Sequence, residues 1–226
     1  MPELDGPRLE PQSGPARRLV VLLHGYGADG HDLIDLGAAW RPLLPDAAFV
    51  APHAPEPCAQ APMGRQWFPL LTRSPEERWR GVNAAAPRLE RFLDEELKRR
   101  KLPPEALALV GFSQGTMMAL HVGLRRLVPP AAIVGYSGLL PMPDGFDPRP
   151  LGQEIRSRPP VLLIHGDSDD VIPAQALFQA SQALAALGLP VEWHLSPGIG
   201  HGIDEEGLRH GGAFLTRRFV AAARPS

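Results

Sequence analysis

The sequence has almost no cysteine and no excess of charge of either sign. Cys58 is the single cysteine among 226 residues, so no intramolecular disulfide can form and a cysteine-rich metal site is excluded. Lys and Arg number 23, and Asp and Glu number 25, which leaves a formal net charge of −2. A chain so balanced presents no electrostatic footprint for nucleic acid or for an anionic membrane surface. We therefore expect no nucleic-acid partner.

Long apolar runs are missing as well. Runs such as 19–23 and 161–164 fall far short of the roughly 20 apolar residues that a membrane-spanning helix needs. The first residues lack the apolar segment that follows a basic stretch in a secretory signal. Hydrophobic residues make up 44% and charged residues 21%, which are ordinary globular values and exclude disorder as the dominant state. We expect a cytoplasmic protein without stable membrane insertion.

Short apolar runs alternate with longer helical patterns from residue 19 onward. Candidate strands cover 19–23, 47–51, 106–111, 131–136, 161–165 and 191–195. Most are continuously apolar, which is typical of strands buried on both faces of a parallel sheet. Candidate helices cover 114–126, 174–187 and 205–223, and a further one begins at 74–77, where Ser-Pro-Glu-Glu matches a capping box. The order predicts an α/β fold with a mostly parallel, doubly wound sheet and helices on both faces.

The chain divides into a short leader and one long unit. Residues 1–18 are rich in proline and show no apolar period, so we expect a leader, part of which pairs with the sheet edge. Residues 19–226 are expected to form a single domain, since alternating α/β folds of this size are common. Two stretches, 52–73 and 137–158, are rich in Pro and Gly and are expected to be long loops of the kind that carry function.

The pentapeptide at 111–115, Gly-Phe-Ser-Gln-Gly, matches the G-x-S-x-G pattern. It follows an apolar run and opens a helical pattern, which is the strand–turn–helix context of a nucleophile elbow. Its glycines remove Cβ atoms where the turn is tight, so that the Ser113 hydroxyl can project above the sheet. The helix N-terminus that follows favours developing negative charge. Ser113 is the candidate nucleophile.

A nucleophilic serine needs a base, and the base needs an acid that orients it. His201 lies in a glycine-flanked loop after the strand pattern 191–195 and is the candidate base. Four acids could serve it: Asp167, Asp169 and Asp170 follow the strand pattern 161–165, and Asp204 lies just past His201. The chain order Ser, Asp, His is that of α/β-hydrolases.

Of these acids, the residues favour Asp169. Asp167 adjoins Gly166 and is expected to accept hydrogen bonds from backbone N–H groups of the turn. Asp170 is expected to point toward solvent or the start of the next helix, and Asp204 to cap the last helix.

Donors for a tetrahedral oxyanion are available on two glycine-containing turns. The segment 24–27, His-Gly-Tyr-Gly, follows the first strong strand pattern, so the Tyr26 N–H can point into the site. With the Gln114 N–H, next to the nucleophile, it would form the two-donor hole that acyl transfer needs.

A metal site built from His165, Asp167 and Asp169 is the competing interpretation of the acidic segment that follows the strand pattern 161–165. His24 and His165 end strand patterns and are expected to make structural hydrogen bonds.

Six motifs in order resemble the acyl-protein thioesterase and carboxylesterase family, also described as phospholipase/carboxylesterase-type α/β-hydrolases. They are HGYG (24–27), PHAP (52–55), GFSQG (111–115), YSGLLP (136–141), HGDSDDVIP (165–173) and GIGHGID (198–204). The resemblance spans roughly residues 19–222. It implies Ser113 as nucleophile, Asp169 as acid, His201 as base, and Tyr26 and Gln114 as the oxyanion pair. Pro69 stands where the family's aromatic loop motif, here 67–69, has an acidic residue.

The resemblance implies hydrolysis of a small acyl ester or thioester, including lysophospholipids, without cofactor or metal. Apolar residues of the long loops would line an acyl groove: Met63, Trp67, Phe68, Leu70, Leu71, Leu139, Leu140 and Met142. A peptidase or lactonase on the same fold and a catalytically silent binding protein are the alternative functions. A homodimer is compatible with the sequence.

Overall fold

A seven-stranded sheet lies at the centre of the computed structural model, which describes residues 3–143 and 147–222. Its strands are β1 (Arg8–Leu9), β2 (Arg18–Leu23), β3 (Ala47–Val50), β6 (Leu107–Phe112), β7 (Ala132–Tyr136), β8 (Val161–Gly166) and β9 (Val191–Ser196). Two further strands, β4 (Glu56–Cys58) and β5 (Ala61–Gln66), form a separate hairpin. The helices are α1 (Gly30–Trp40), α2 (Pro75–Arg100), α3 (Gln114–Gly123), α4 (Arg149–Glu154), α5 (Gln175–Ala186) and α6 (Glu205–Ala222).

The sheet is parallel except at one edge. Its order is β1-β3-β2-β6-β7-β8-β9, and every neighbouring pair from β3 to β9 runs parallel. At the edge, Arg8 and Leu9 pair antiparallel with β3, so part of the leader joins the sheet as expected. The predicted α/β fold with a mostly parallel sheet is confirmed. Among the described residues, no helix is long and apolar enough to cross a membrane.

Successive residues of each central strand face opposite layers of core. In β2, Leu19, Val21 and Leu23 pack into the layer formed with α2, α3 and α5. Val20 and Leu22 pack into the layer formed with α1 and α6. Both sets are fully buried, which explains why the strands read as continuously apolar. Because parallel strands all end at one edge, the loops that follow β2, β6, β8 and β9 open on the same side of the sheet.

Three elements fall where the sequence predicted no regular structure: helix α1, helix α4 and the antiparallel hairpin β4–β5. Helix α1 contains two glycines, which weaken the helical pattern, but Gly37 is needed for packing. A Cβ there would lie 2.9 Å from the Phe49 side chain. Helix α3 ends at Gly123, three residues before the predicted end.

The predicted capping box at 74–77 is half correct. Ser74 Oγ accepts a hydrogen bond from the Glu77 N–H at 3.1 Å, as a capping serine does. The Glu77 carboxylate does not return a bond to Ser74. It accepts instead from the N–H groups of Leu71, Thr72 and Arg73, at 2.8, 2.9 and 2.6 Å. The start of α2 is thereby tied to the end of the preceding loop.

Candidate active site

Ser113 sits in a sharp turn between β6 and α3. Its backbone has φ of +53° and ψ of −113°, a conformation that side-chain-bearing residues rarely adopt. Close packing on both sides requires the two motif glycines. A Cβ at Gly111 would lie 2.4 Å from backbone atoms of Gly115, and one at Gly115 would lie 1.8 Å from Leu23 O. The geometry is that of a nucleophile elbow, with Ser113 directly before the N-terminus of α3.

Asp169 and His201 meet on the loops that follow β8 and β9. Asp169 Oδ2 lies 2.8 Å from His201 Nδ1. Asp169 Oδ1 accepts hydrogen bonds from the N–H groups of Val171 and Ile172, both at 2.9 Å. The carboxylate is fully buried, whereas the imidazole is 18% exposed. The loop backbone therefore orients the carboxylate, and the carboxylate in turn orients the ring.

Hydrogen bonding keeps Asp169 ionised in spite of burial. Burial by itself raises the pKa of this carboxyl, but the bonds from His201 and from the two backbone N–H groups outweigh it, so the pKa lies below its usual value. An ionised carboxylate accepts the Nδ1 proton of the ring, which leaves Nε2 free to accept another. The His201 ring packs on Phe112, the residue before Ser113, with ring centroids 5.0 Å apart. This contact places the imidazole beside the elbow.

The other three acids have different partners. Asp167 is exposed, and its Oδ1 accepts from the Gly198 N–H at 2.7 Å, joining two loops. Asp204 Oδ1 accepts from the Gly207 N–H at 2.9 Å and from Ser196 Oγ at 2.8 Å, so the predicted cap of the last helix is confirmed. Asp170 is exposed, as expected. Of the four, the structure brings Asp169 to the His201 ring.

The N–H groups of Tyr26 and Gln114 are both available for an oxyanion. Within residues 3–143 and 147–222, neither amide has a hydrogen-bond acceptor. A Cβ at Gly25 would lie 3.3 Å from Ser113 Cβ, so the turn that carries Tyr26 packs directly against the elbow. The Tyr26 hydroxyl lies beside the Cys58 thiol, which together with burial raises the pKa of Tyr26 to about 12. The phenol therefore stays protonated at neutral pH.

His24 fixes the direction of the Tyr26 N–H. Its Nε2 lies 2.9 Å from the Ala54 N–H, which can only donate, so Nε2 is the unprotonated nitrogen. Nδ1 therefore carries the proton and donates it to Gly25 O at 2.8 Å. In a trans peptide the carbonyl and the next N–H point in opposite directions, so holding Gly25 O also aims the Tyr26 N–H. Burial lowers the pKa of His24 and keeps the ring neutral.

The side chain of Gln114 joins the elbow to the segment 66–68. Gln114 Oε1 accepts from the Trp67 N–H at 2.9 Å, and Nε2 donates to Phe68 O at 2.7 Å. Trp67 Nε1 donates in turn to His24 O at 3.0 Å. Both polar atoms of the Gln114 side chain and the indole N–H of Trp67 thus have partners, so both turns that carry an oxyanion donor are held by one set of bonds. The structural hydrogen bonds predicted for His24 are confirmed, but no sequence pattern connects this residue to Tyr26.

The predicted groove residues separate into three sets. Leu139, Leu140 and Met142 line a cavity between the loop after β7, the start of α2 and helix α5. Trp67, Phe68 and Leu70 are core residues that do not line this cavity, and the Gln114 side chain bonds the backbone of Trp67 and Phe68. Met63 and Leu71 are 92% and 79% exposed. Further cavity-lining residues, missed in the sequence, include Pro75, Arg78 and Ala176.

The residues of the competing metal interpretation are engaged in hydrogen bonds. His165 Nε2 lies 2.8 Å from Ile172 O, which only accepts, so this nitrogen carries a proton and is no ligand. Two other groups in the described part of the chain have ligand-like spacing: Asp29 with His31 and His53, and His194 with Glu206 and His210. Neither group includes Ser113, Asp169 or His201.

The model of the phospholipase/carboxylesterase family matches residues 4–218. The chain belongs to the phospholipase/carboxylesterase family. Among its relatives, acyl-protein thioesterase 1 of Gibberella zeae is 27% identical over 226 residues, covering 94% of this chain and 95% of that protein. Esterase YpfH of Escherichia coli is 30% identical over 197 residues, covering 86% and 80%.

Solved structures of similar proteins have the same fold as this chain. Esterase PE8 is 47% identical, with a TM-score of 0.90 and coverage of 96% of this chain and 99% of that one. Acyl-protein thioesterase 2 of Zea mays is 25% identical, with a TM-score of 0.70 and coverage of 94% and 97%. The expected α/β-hydrolase fold and the expected enzyme class, a serine hydrolase of the carboxylesterase and thioesterase type, are confirmed.

Substitution of the four acids by asparagine tests the assignment of Asp169. Asp169→Asn should lower kcat by about 10⁴-fold near neutral pH, because the amide favours the wrong imidazole tautomer. Asp170→Asn is the matched control and should stay within about tenfold, as should Asp204→Asn. Asp167→Asn should mainly lower the melting temperature, since it weakens the bond to Gly198. Loss of activity in Asp170→Asn or Asp204→Asn, with Asp169→Asn active, would identify a different acid.

Two isosteric substitutions test the positioning role of His24. Asparagine places a donor near the Nδ1 position, whereas glutamine places a polar atom near the Nε2 position only. We expect His24→Asn to keep kcat within about threefold and His24→Gln to lower it about tenfold or more, with KM unchanged in both, because the oxyanion forms only during the reaction. Equal losses of kcat in the two variants would show that His24 serves the fold alone.

Proposed function

We propose that this member of the family hydrolyses carboxylic esters through an acyl-enzyme intermediate on Ser113. His201 is the general base, and Asp169 holds its ring. The Tyr26 and Gln114 N–H groups bind the oxyanion. The contact that carries the proposal is the 2.8 Å hydrogen bond between Asp169 Oδ2 and His201 Nδ1, formed on loops beside the strained elbow.

In the first half of the reaction, Ser113 Oγ attacks the acyl carbonyl carbon while His201 Nε2 takes the hydroxyl proton. The C–O bond that forms turns the carbonyl into a tetrahedral oxyanion, which accepts hydrogen bonds from the two amides. The ionised Asp169 carboxylate stabilises the imidazolium. The imidazolium then protonates the ester oxygen as its bond to the acyl carbon breaks, so that the alcohol departs and the acyl group stays on Ser113.

In the second half, water replaces the alcohol. His201 takes a proton from the water as its oxygen attacks the acyl-enzyme, and a second oxyanion forms in the same hole. The ring then returns the proton to Ser113 Oγ, and the acid leaves. His201 takes up and returns the proton in both halves of the reaction, and water supplies the atoms that complete the acid and the alcohol. The cycle therefore needs no cofactor.

The relatives favour esters over thioesters as substrates. The two proteins named as esterases are 47% and 30% identical to this chain, whereas the relative named as an acyl-protein thioesterase in Gibberella zeae is 27% identical. The reaction itself permits either leaving group, since an alkoxide and a thiolate are both protonated from His201. We therefore place oxygen esters first and acyl thioesters second.

A matched substrate series tests this order. 4-Nitrophenyl esters from acetate to palmitate are compared with a thioester that carries the best acyl chain, and a fluorophosphonate probe reports on the nucleophile. We expect probe labelling of Ser113, no labelling of Ser113→Ala, and a kcat/KM for the ester at least about tenfold above that for the thioester. A higher kcat/KM for the thioester would reverse the order. Absence of labelling in the wild type would overturn the serine mechanism.

A further inference from the structure

An apolar cavity of about 120 Å³ lies between the loop after β7, the first turn of α2 and helix α5. Its walls include Leu139, Leu140, Met142 and Ala180. A narrower space that shares Leu139 and Ala180 continues inward to Thr116, on the first turn of α3. The loop after β7 connects the cavity to the elbow: it follows Tyr136, whose carbonyl oxygen accepts from the Ser113 N–H at 2.9 Å, and its Leu139 and Leu140 line the cavity.

One charged group opens onto this apolar space. Arg78, one turn into α2, lines the cavity together with Pro75 and the loop after β7. Its Nε is buried and has no hydrogen-bond partner. Burial lowers the pKa of this guanidinium, and the nearby charge of Arg73 lowers it further, with Glu77 acting in the opposite direction. Arginine nevertheless remains charged at neutral pH, so the cavity holds a cation.

The lack of a partner sets Arg78 apart from comparable arginines. In the part of the chain that the structure describes, six arginines bury an Nε atom without a hydrogen-bond partner. In five of them an Nη atom is paired with a carboxylate or a carbonyl oxygen; these are Arg8, Arg41, Arg100, Arg126 and Arg218. Arg78 has neither a carboxylate nor a carbonyl partner there. A half-buried, uncompensated charge is costly, and an anion bound to it would offset that cost.

The nearest acid does not compensate this charge. Glu77 directly precedes Arg78, but three backbone N–H groups of residues 71–73 engage its carboxylate. This bonding folds residues 71–73 against the start of α2. It also brings the second cation, Arg73, close enough to Arg78 for their charges to repel. The first turn of α2 contains Glu76 and Glu77 as well as Arg78, and of these three only Arg78 lines the apolar cavity.

We propose that Arg78 binds an anionic oxygen group of the substrate, joined to the scissile ester by a short apolar chain that occupies the cavity. This inference rests on the proposed ester hydrolysis and narrows its substrate class. The anion is a carboxylate at the end of the acyl chain or a phosphate on the leaving group, since a guanidinium pairs with the oxygens of both. The apolar walls of the cavity bind the apolar part of the substrate, and Arg78 makes an anionic substrate bind better than a neutral one.

Two pairs of substrates separate the sources of the anion. In the first pair, 4-nitrophenyl hexanoate is compared with the mono-4-nitrophenyl ester of adipic acid, which differs by a terminal carboxylate. In the second, hexanoylglycerol is compared with hexanoylglycerol phosphate. In Arg78→Met, kcat/KM for the anionic member of at least one pair should fall about tenfold or more, and kcat/KM for the neutral members should stay within about threefold. The affected pair identifies the source.

Matched variants keep the test specific. Arg80→Met removes an exposed positive charge two residues away and should leave all four substrates unchanged. Arg78→Lys should retain much of the preference, because it keeps the charge. Equal effects of Arg78→Met on charged and neutral members, or a wild type that rejects both anionic esters, would overturn the role of Arg78. If the neutral esters are still hydrolysed in those cases, the proposed Ser113 mechanism stands. If the wild type hydrolyses none of the four substrates, the proposed ester hydrolysis itself is wrong.

Discussion

The positive φ of Ser113 is the constraint on which the site depends. A residue with a side chain adopts this conformation only where the surrounding structure enforces it, at a cost of about 1–3 kcal/mol. Here the enforcement is steric: Gly111 packs on Gly115, and Gly115 packs on Leu23 O, with no room for a Cβ at either glycine. The turn between β6 and α3 cannot relax without separating α3 from β2. One strained residue thus aims a hydroxyl and the following N–H at the same side of the sheet.

Around this rigid elbow, the remaining groups lie on loops that hydrogen bonds hold in place. Asp169 is held by two N–H groups of its own loop and holds His201. The turn that carries Tyr26 is held by His24, whose carbonyl accepts from Trp67. The parallel sheet makes this assembly simple, because strands β2, β6, β8 and β9 all end at the edge where the loops meet. The proposed mechanism needs a fixed arrangement of this kind, since the hydrogen bonds to the oxyanion matter only during the reaction.

The sequence predicted the sheet and the triad motifs for reasons the structure explains. Strands buried on both faces are continuously apolar, and the elbow, acid and base occupy distinctive glycine-flanked loops in the required order. What it missed depends on distant partners. The role of His24 follows only from its bonds to Gly25 and Ala54, and the backbone of Trp67 is bonded to the distant Gln114 side chain. Arg78 gave no signal, because its significance is the lack of a partner, which no local pattern reveals.

The role of the Ser113 oxygen as the nucleophile is measured by kcat of Ser113→Ala. We expect kcat for the best ester to fall by about 10⁵- to 10⁶-fold, because removal of the nucleophile abolishes the acyl-enzyme route. The circular dichroism spectrum and melting temperature should stay close to those of the wild type, since alanine removes only the hydroxyl. A folded Ser113→Ala protein that hydrolyses the ester at a rate near that of the wild type would show that another group is the nucleophile.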